Sequence, residues 1–159
     1  MYKKLAILGA TSALAVTSLG GAAPAIGSSE DDSDGDVVVL RVTSVRTEEQ
    51  FVDIGDPGFS LGDVFVFSSD LYRDGKKIGR SGAVCTAMSV EELERQCLST
   101  IVLPRGQIVS QGSFATDDLT EYLFPITGGS GAFIGVEGEL LARNLDGPSR
   151  QRYIITLEE

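Results

Sequence analysis

The chain has 159 residues, 42% of them hydrophobic and 7% aromatic, and its 13 basic against 23 acidic side chains give a formal charge of −10 with no histidine. Such a surface repels phosphate backbones and anionic membranes, and no basic stripe or aromatic platform compensates, so nucleic-acid binding is excluded. Without His, and with only two Cys, the Ser-His-Asp, Cys-His and common zinc arrangements are excluded too; no metal and no cofactor are expected, and any chemistry rests on carboxylates, hydroxyls, Arg and cavity shape.

The first element is a targeting segment. Lys3-Lys4 precede an apolar run from Leu5 to Leu19, and Ala23-Pro24-Ala25 offers an A-x-A cleavage site; this is the pattern of a secretory signal peptide over residues 1–25. The apolar run is shorter than the roughly 20 residues a membrane span requires. No Cys stands near the cleavage site and no twin-Arg pair precedes the run, which points to general export without a lipid anchor. The sequence thus predicts a secreted, extracytoplasmic chain with no membrane attachment after cleavage. Losing Lys3 and Lys4 leaves 11 basic against 23 acidic residues, or −12. Residues 26–36, which include Ser28-Ser29-Glu30-Asp31-Asp32-Ser33-Asp34-Gly35-Asp36, are too polar to bury anything and predict a disordered acidic leader; they lack the framed loop of a calcium site.

From residue 37 to residue 159 the pattern is strand after strand, with no helical periodicity over three turns. Strands are predicted at 36–46, 63–72, 76–89, 94–103, 107–114, 119–126, 133–144 and 152–158. They are separated by turn chemistry at Arg73-Asp74-Gly75, Pro104-Arg105-Gly106, Thr116-Asp117-Asp118, Gly128-Gly129-Ser130-Gly131 and Asp146-Gly147-Pro148. Eight short-linked strands predict an all-β, antiparallel up-and-down barrel, because closure removes exposed edges. A barrel of that size is either filled by side chains or holds one small ligand. The segment from Thr47 to Ser60, with its Asp56-Pro57-Gly58 turn, is the one long irregular connection and suits a lid across a barrel mouth.

The run Thr127-Gly128-Gly129-Ser130-Gly131-Ala132-Phe133 reads as a tight connection whose glycines supply positive φ. A phosphate loop would need Lys followed by Ser or Thr where Ala132-Phe133 stand, and a dinucleotide loop would open a helix.

Leu61-Gly62-Asp63 leading to Phe67, Leu71-Tyr72, Lys76-Lys77, Gly82-Ala83-Val84-Cys85, Gly106-Gln107-Ile108-Val109-Ser110-Gln111-Gly112 and Ile126-Thr127-Gly128-Gly129-Ser130-Gly131-Ala132-Phe133 together resemble the allene oxide cyclases over residues 61–140. Dirigent proteins share the barrel and a similar glycine segment. The resemblance implies an eight-stranded barrel with a small apolar cavity, often assembled as a trimer, that folds a reactive hydrophobic small molecule into one stereochemical course. Catalysis of that kind rests on shape and orientation. The family's cavity Cys matches Cys85. Its first-strand Glu falls at Arg41 and a nearby Asn at Thr43, its second-strand Asn at Ser69, and its fifth-strand Tyr at Phe114, so allene oxide cyclase activity itself is not carried over.

With Cys85 and Ser69 inward, period-2 alternation puts Phe65, Phe67, Leu71, Ala83, Ile108, Ser110, Gly112 and Phe114 on the cavity face. On the first strand Val39, Arg41 and Thr43 join them, leaving Val38, Leu40 and Val42 outward, either as a subunit interface or beneath the 47–60 segment. The candidate ligand-binding residues are therefore Arg41, Thr43, Phe65, Phe67, Ser69, Cys85, Ser110 and Phe114. Arg41 either orients a ligand carboxylate or enolate, met by Glu121, Glu137 or Glu139, or lies at a strand end and reaches solvent. In a hairpin turning near Glu91-Glu92, Cys85 and Cys97 stand opposite each other. They are a disulfide candidate in an exported chain, the alternative being two reduced core thiols. Three functions remain open: a cyclase- or isomerase-like barrel acting on an apolar small molecule, a non-catalytic dirigent-like binder, and a structural barrel filled by Phe65, Phe67, Phe114 and Phe133. An interior void of about 300 Å³ or more excludes the last.

Overall fold

The computed structural model describes residues 37–116 and 120–158; the expected signal peptide and acidic leader, and the expected turn at Asp117-Asp118, lie outside the described residues. Every regular element among these is a strand: β1 (Val37–Val52), β2 (Val64–Arg73), β3 (Lys76–Ser89), β4 (Glu94–Leu103), β5 (Gly106–Ala115), β6 (Glu121–Gly131), β7 (Glu137–Asn144) and β8 (Arg150–Glu158). Each pairs antiparallel with the next and β8 returns to β1, closing the barrel. At one end β2–β3 and β4–β5 join through tight hairpins, the first turning through Asp74 and Gly75, both at positive φ, and β6 joins β7 through residues 132–136. At the other end lie the connections after β1, β3, β5 and β7, the one after β1 being the longest.

Alternation along each strand decides what is inside. On β8 Gln151, Tyr153, Ile155 and Leu157 are buried, while Arg152 between them is exposed. Packing is densest toward the tight-turn end, where Leu71, Ile101, Ile108 and Ile155 are fully buried. In this aliphatic floor each such side chain contributes about 1.5–3 kcal/mol relative to exposure.

Two predicted boundaries are corrected. Residues 47–52, expected in the irregular connection, continue β1 and pair with β2 as far as Val52↔Val64. The glycine run is also strand: Gly128, Gly129, Ser130 and Gly131 end β6, paired to Val109, Ile108, Gln107 and Gly106, and the connection is 132–136 instead. Of those glycines only Gly131 takes a positive φ, +65°. Gly129 is needed for space, since a Cβ there would run into the Phe133 carbonyl where the connection folds back over the strand.

Candidate functional site

Above the aliphatic floor, at the end with the long connections, the barrel encloses a cavity of about 380 Å³. A volume of that order belongs to the range of small-molecule sites, so the interior is not filled by its phenylalanines. Phe133 packs at the 132–136 connection, outside the lining. Two aromatic walls face each other across the ring of strands. On β2, Phe65 and Phe67 lie 5.5 Å apart. On β5 and β6, Phe114 stacks on Tyr122 at 4.8 Å with an interplanar angle of 19°, and Phe124 tilts against Tyr122 at 5.7 Å. The second wall exists because β5 and β6 part company: their ladder stops at Ser110↔Ile126, and a Cβ on Gly112 would occupy the place of the Phe124 ring.

The one carboxylate that the described residues bring to the lining, Glu49, comes from a break in register on β1. Ser44↔Leu71 and Arg46↔Ser69 are inward pairs, but Thr47 is an extra residue, and pairing resumes at Glu48↔Ser68. Such a bulge reverses the alternation beyond it, so Arg46 and Glu49, three apart, both line the cavity. Arg46 Nη1 donates to Glu49 Oε2 at 3.0 Å, with the Arg46 side chain 11% exposed and that of Glu49 55%. The guanidinium lies over Phe67 at 4.4 Å and Phe65 at 5.4 Å, and its Nε is buried without a hydrogen-bond partner. From β4, Arg95 approaches Phe65 at 5.7 Å and Phe59 of the β1–β2 connection at 5.1 Å. Burial lowers its pKa and the Asp63 carboxylate partly offsets this.

Asp63 organises that connection. Its buried carboxylate accepts from the backbone N–H groups of Ile54 at 2.8 Å and Ser60 at 2.7 Å and from Ser60 Oγ at 3.1 Å; these hydrogen bonds hold its pKa below the ordinary carboxylate value. The segment expected as a lid is thus pinned beside the mouth. Tyr122 is pushed the other way, its phenol pKa raised by burial. It remains a protonated donor and acceptor, and Gln151 Nε2 donates both to its oxygen and to Asn144 Oδ1.

Of the sequence candidates, Phe65, Phe67, Cys85 and Phe114 line the cavity. Cys85 and Cys97 are directly opposed and joined by a disulfide, so Cys85 presents no free thiol. Ser69 and Ser110 face inward but do not line the cavity: both are buried in the layer below, Ser110 Oγ lying 2.7 Å from Ser99 Oγ. Arg41 and Thr43 are corrected. They lie on the outer face, in a shallow depression with Tyr72, Arg73 and Arg152, while Val42 and Ser44 are the buried residues of β1. A one-residue offset in matching this strand to the family inverts every side chain on it. Sequence reasoning missed Arg46, Glu49, Arg95, Tyr122, Phe124 and Gln151. Alternation in Tyr122-x-Phe124-x-Ile126 signals the β6 residues; the bulge that exposes Glu49 to the cavity has no such signal. Among the described residues no group of three or more His, Cys, Asp or Glu gathers as for a metal ion.

The profile of the allene oxide cyclase barrel like domain matches residues 38–157. Curated protein sequences give no match. Among solved structures, a pyocyanin demethylase is similar at 28% identity and TM-score 0.68, over 76% of this chain and 99% of that one. A pterocarpan synthase dirigent protein is similar at 20% identity and TM-score 0.62, over 77% of this chain and 88% of that one. A Diels-Alderase from Streptomyces koyangensis matches at 17% identity and TM-score 0.65, over 77% of this chain and 64% of that one.

Proposed function

Because the chain belongs to the allene oxide cyclase barrel-like family, we propose that it is an exported barrel that binds a conjugated small molecule and guides an intramolecular cyclisation or isomerisation. The observation that carries this reading is the cavity of about 380 Å³ between the Phe65/Phe67 wall and the Phe114/Tyr122/Phe124 wall. Two facing aromatic walls hold a flexible conjugated chain in a folded, near-attack conformation, and restriction of this kind accelerates ring closure without a nucleophile. The Tyr122 phenol and the Arg46 guanidinium stand where negative charge on a substrate oxygen would be met. A carboxylate also lines the cavity from β1, Glu49 beyond the bulge, in salt bridge with Arg46. It supplies a hydrogen-bond acceptor and a local negative charge.

The test is stereochemical. The protein is incubated with a short-lived allene oxide generated in place, and the cyclopentenone is resolved by chiral chromatography. An enantiomeric excess is expected; the racemate formed at the protein-free rate refutes guidance of that cyclisation. A second reading, favoured by the 28% identity to a pyocyanin demethylase, is that the same cavity accepts pyocyanin itself. Loss of its methyl group, followed by mass spectrometry, distinguishes the two.

A further inference from the structure

The cavity has a charge that the chain as a whole does not. Among the described residues its lining carries Arg46 and Arg95 against the carboxylate of Glu49, a balance of +1 by that count, inside a chain whose formal charge is −10. Asp63 faces Arg95 from outside the lining, with its oxygens taken up by Ile54 and Ser60. Among the described residues, one of the five guanidinium donors of Arg46 has a protein partner, Nη1 on Glu49. That partner is more than half exposed, so solvent screens its compensation of a guanidinium that is itself nearly buried. The guanidinium lies over the Phe67 ring, and its Nε, on the edge that also carries Nη2, is buried without a hydrogen-bond partner. A guanidinium edge so held suits the two oxygens of a planar anion.

Resting on the reading of this cavity as a small-molecule site, we propose that its ligand is a conjugated monoanion whose carboxylate, enolate or phenolate oxygen pairs with Arg46 while its apolar body lies between the aromatic walls. Arg95, against Phe65 and Phe59 at the mouth, adds a second positive charge on the way in, which draws an anion through an otherwise repelling surface. A neutral apolar ligand of the same shape would fill the walls and leave the Arg46 donors unmet, and unmatched buried donors are the main source of discrimination between such ligands.

A matched pair of fluorescent probes separates the two properties: 8-anilinonaphthalene-1-sulfonate carries an anionic group on the ring system that N-phenyl-1-naphthylamine presents without charge. Both are titrated into the full chain, into Arg46→Met and Arg46→Lys, and into Ala83→Leu, whose added carbons occupy the cavity. The expected result is that the wild-type chain binds the charged probe about tenfold more tightly than the neutral one, the factor that one charge-assisted contact supplies. Arg46→Met should abolish the preference, Arg46→Lys should keep part of it, and Ala83→Leu should weaken both probes. Equal affinities in the wild-type chain, a measurement that needs no variant, overturn the proposal and leave the cavity reading intact. A preference that survives Arg46→Met does the same. Binding of both probes unaffected by Ala83→Leu places them on the outer face and overturns the proposal, as does binding of neither, which removes the cavity reading as well.

Discussion

Replacing Ala83 by Leu asks whether the interior is open. Ala83 sits on β3 between Phe67 of β2 and Ser99 of β4, and all three line the cavity. Leucine adds three carbons, which at about 0.8 kcal/mol each gain about 2.4 kcal/mol when they enter an apolar void. Ordering the longer side chain costs about 0.5–1 kcal/mol. The net stabilisation is therefore about 1.5 kcal/mol, which at a urea slope of about 1.5 kcal/mol/M moves the unfolding midpoint up by about 1 M. Equilibrium unfolding followed by far-ultraviolet circular dichroism measures this, with an unchanged slope required for the comparison. If the barrel were already packed, the extra carbons would force neighbours off their rotamers and destabilise by about 1–3 kcal/mol. A lowered midpoint with unchanged slope thus refutes the open interior, and with it the reading of the site.

Two further outcomes follow from the same geometry. Reducing the Cys85–Cys97 disulfide, which closes a loop with a sequence separation of 12, should lower stability by about 3 kcal/mol through the entropy of the unfolded chain; guanidinium titrations with and without reductant measure it, and overlapping curves contradict a bridge of that weight. Asp63→Ala should free the β1–β2 connection, raising amide exchange at Ile54 and Ser60, whose N–H groups it holds. The Asp63 carboxyl is depressed in the fold, so its contribution is complete above the unfolded value near 3.9 and is lost as pH falls through the lower folded value. The gap in stability between wild type and variant should be full at pH 7 and close on acidification below about pH 4; a gap that widens there reverses the sign and refutes the assignment.

The barrel was legible because its evidence is repeated on each strand. Alternation such as Gln151-x-Tyr153-x-Ile155-x-Leu157 and turn pairs such as Asp74-Gly75 recur around the ring, and an error at one strand leaves the others standing. The opposition of Cys85 and Cys97 was equally accessible, since both flank one short hairpin in which register follows from counting residues. The glycine run was read correctly as tight backbone and wrongly as turn: at Gly129 the demand is for room against Phe133, not for positive φ. Composition alone does not distinguish those two uses of glycine.

The site was harder for a reason that lies in β1. Inward phase passes along a strand from any anchored residue, but only until the backbone slips, and β1 slips at Thr47. Before the slip Val42, Ser44 and Arg46 are inside; after it Glu49 is. Were Thr47 paired in regular alternation, Glu49 would face solvent and Glu48 would take its place inside. The bulge therefore selects which of two adjacent carboxylates meets Arg46: it is Glu49, whose side chain is exposed enough to leave that guanidinium short of partners. Deleting Thr47 should remove the bulge and leave Glu49 two positions beyond Arg46, still inward, with the same count of lining charges; the preference for the anionic probe should therefore persist in that variant, and its loss refutes this register.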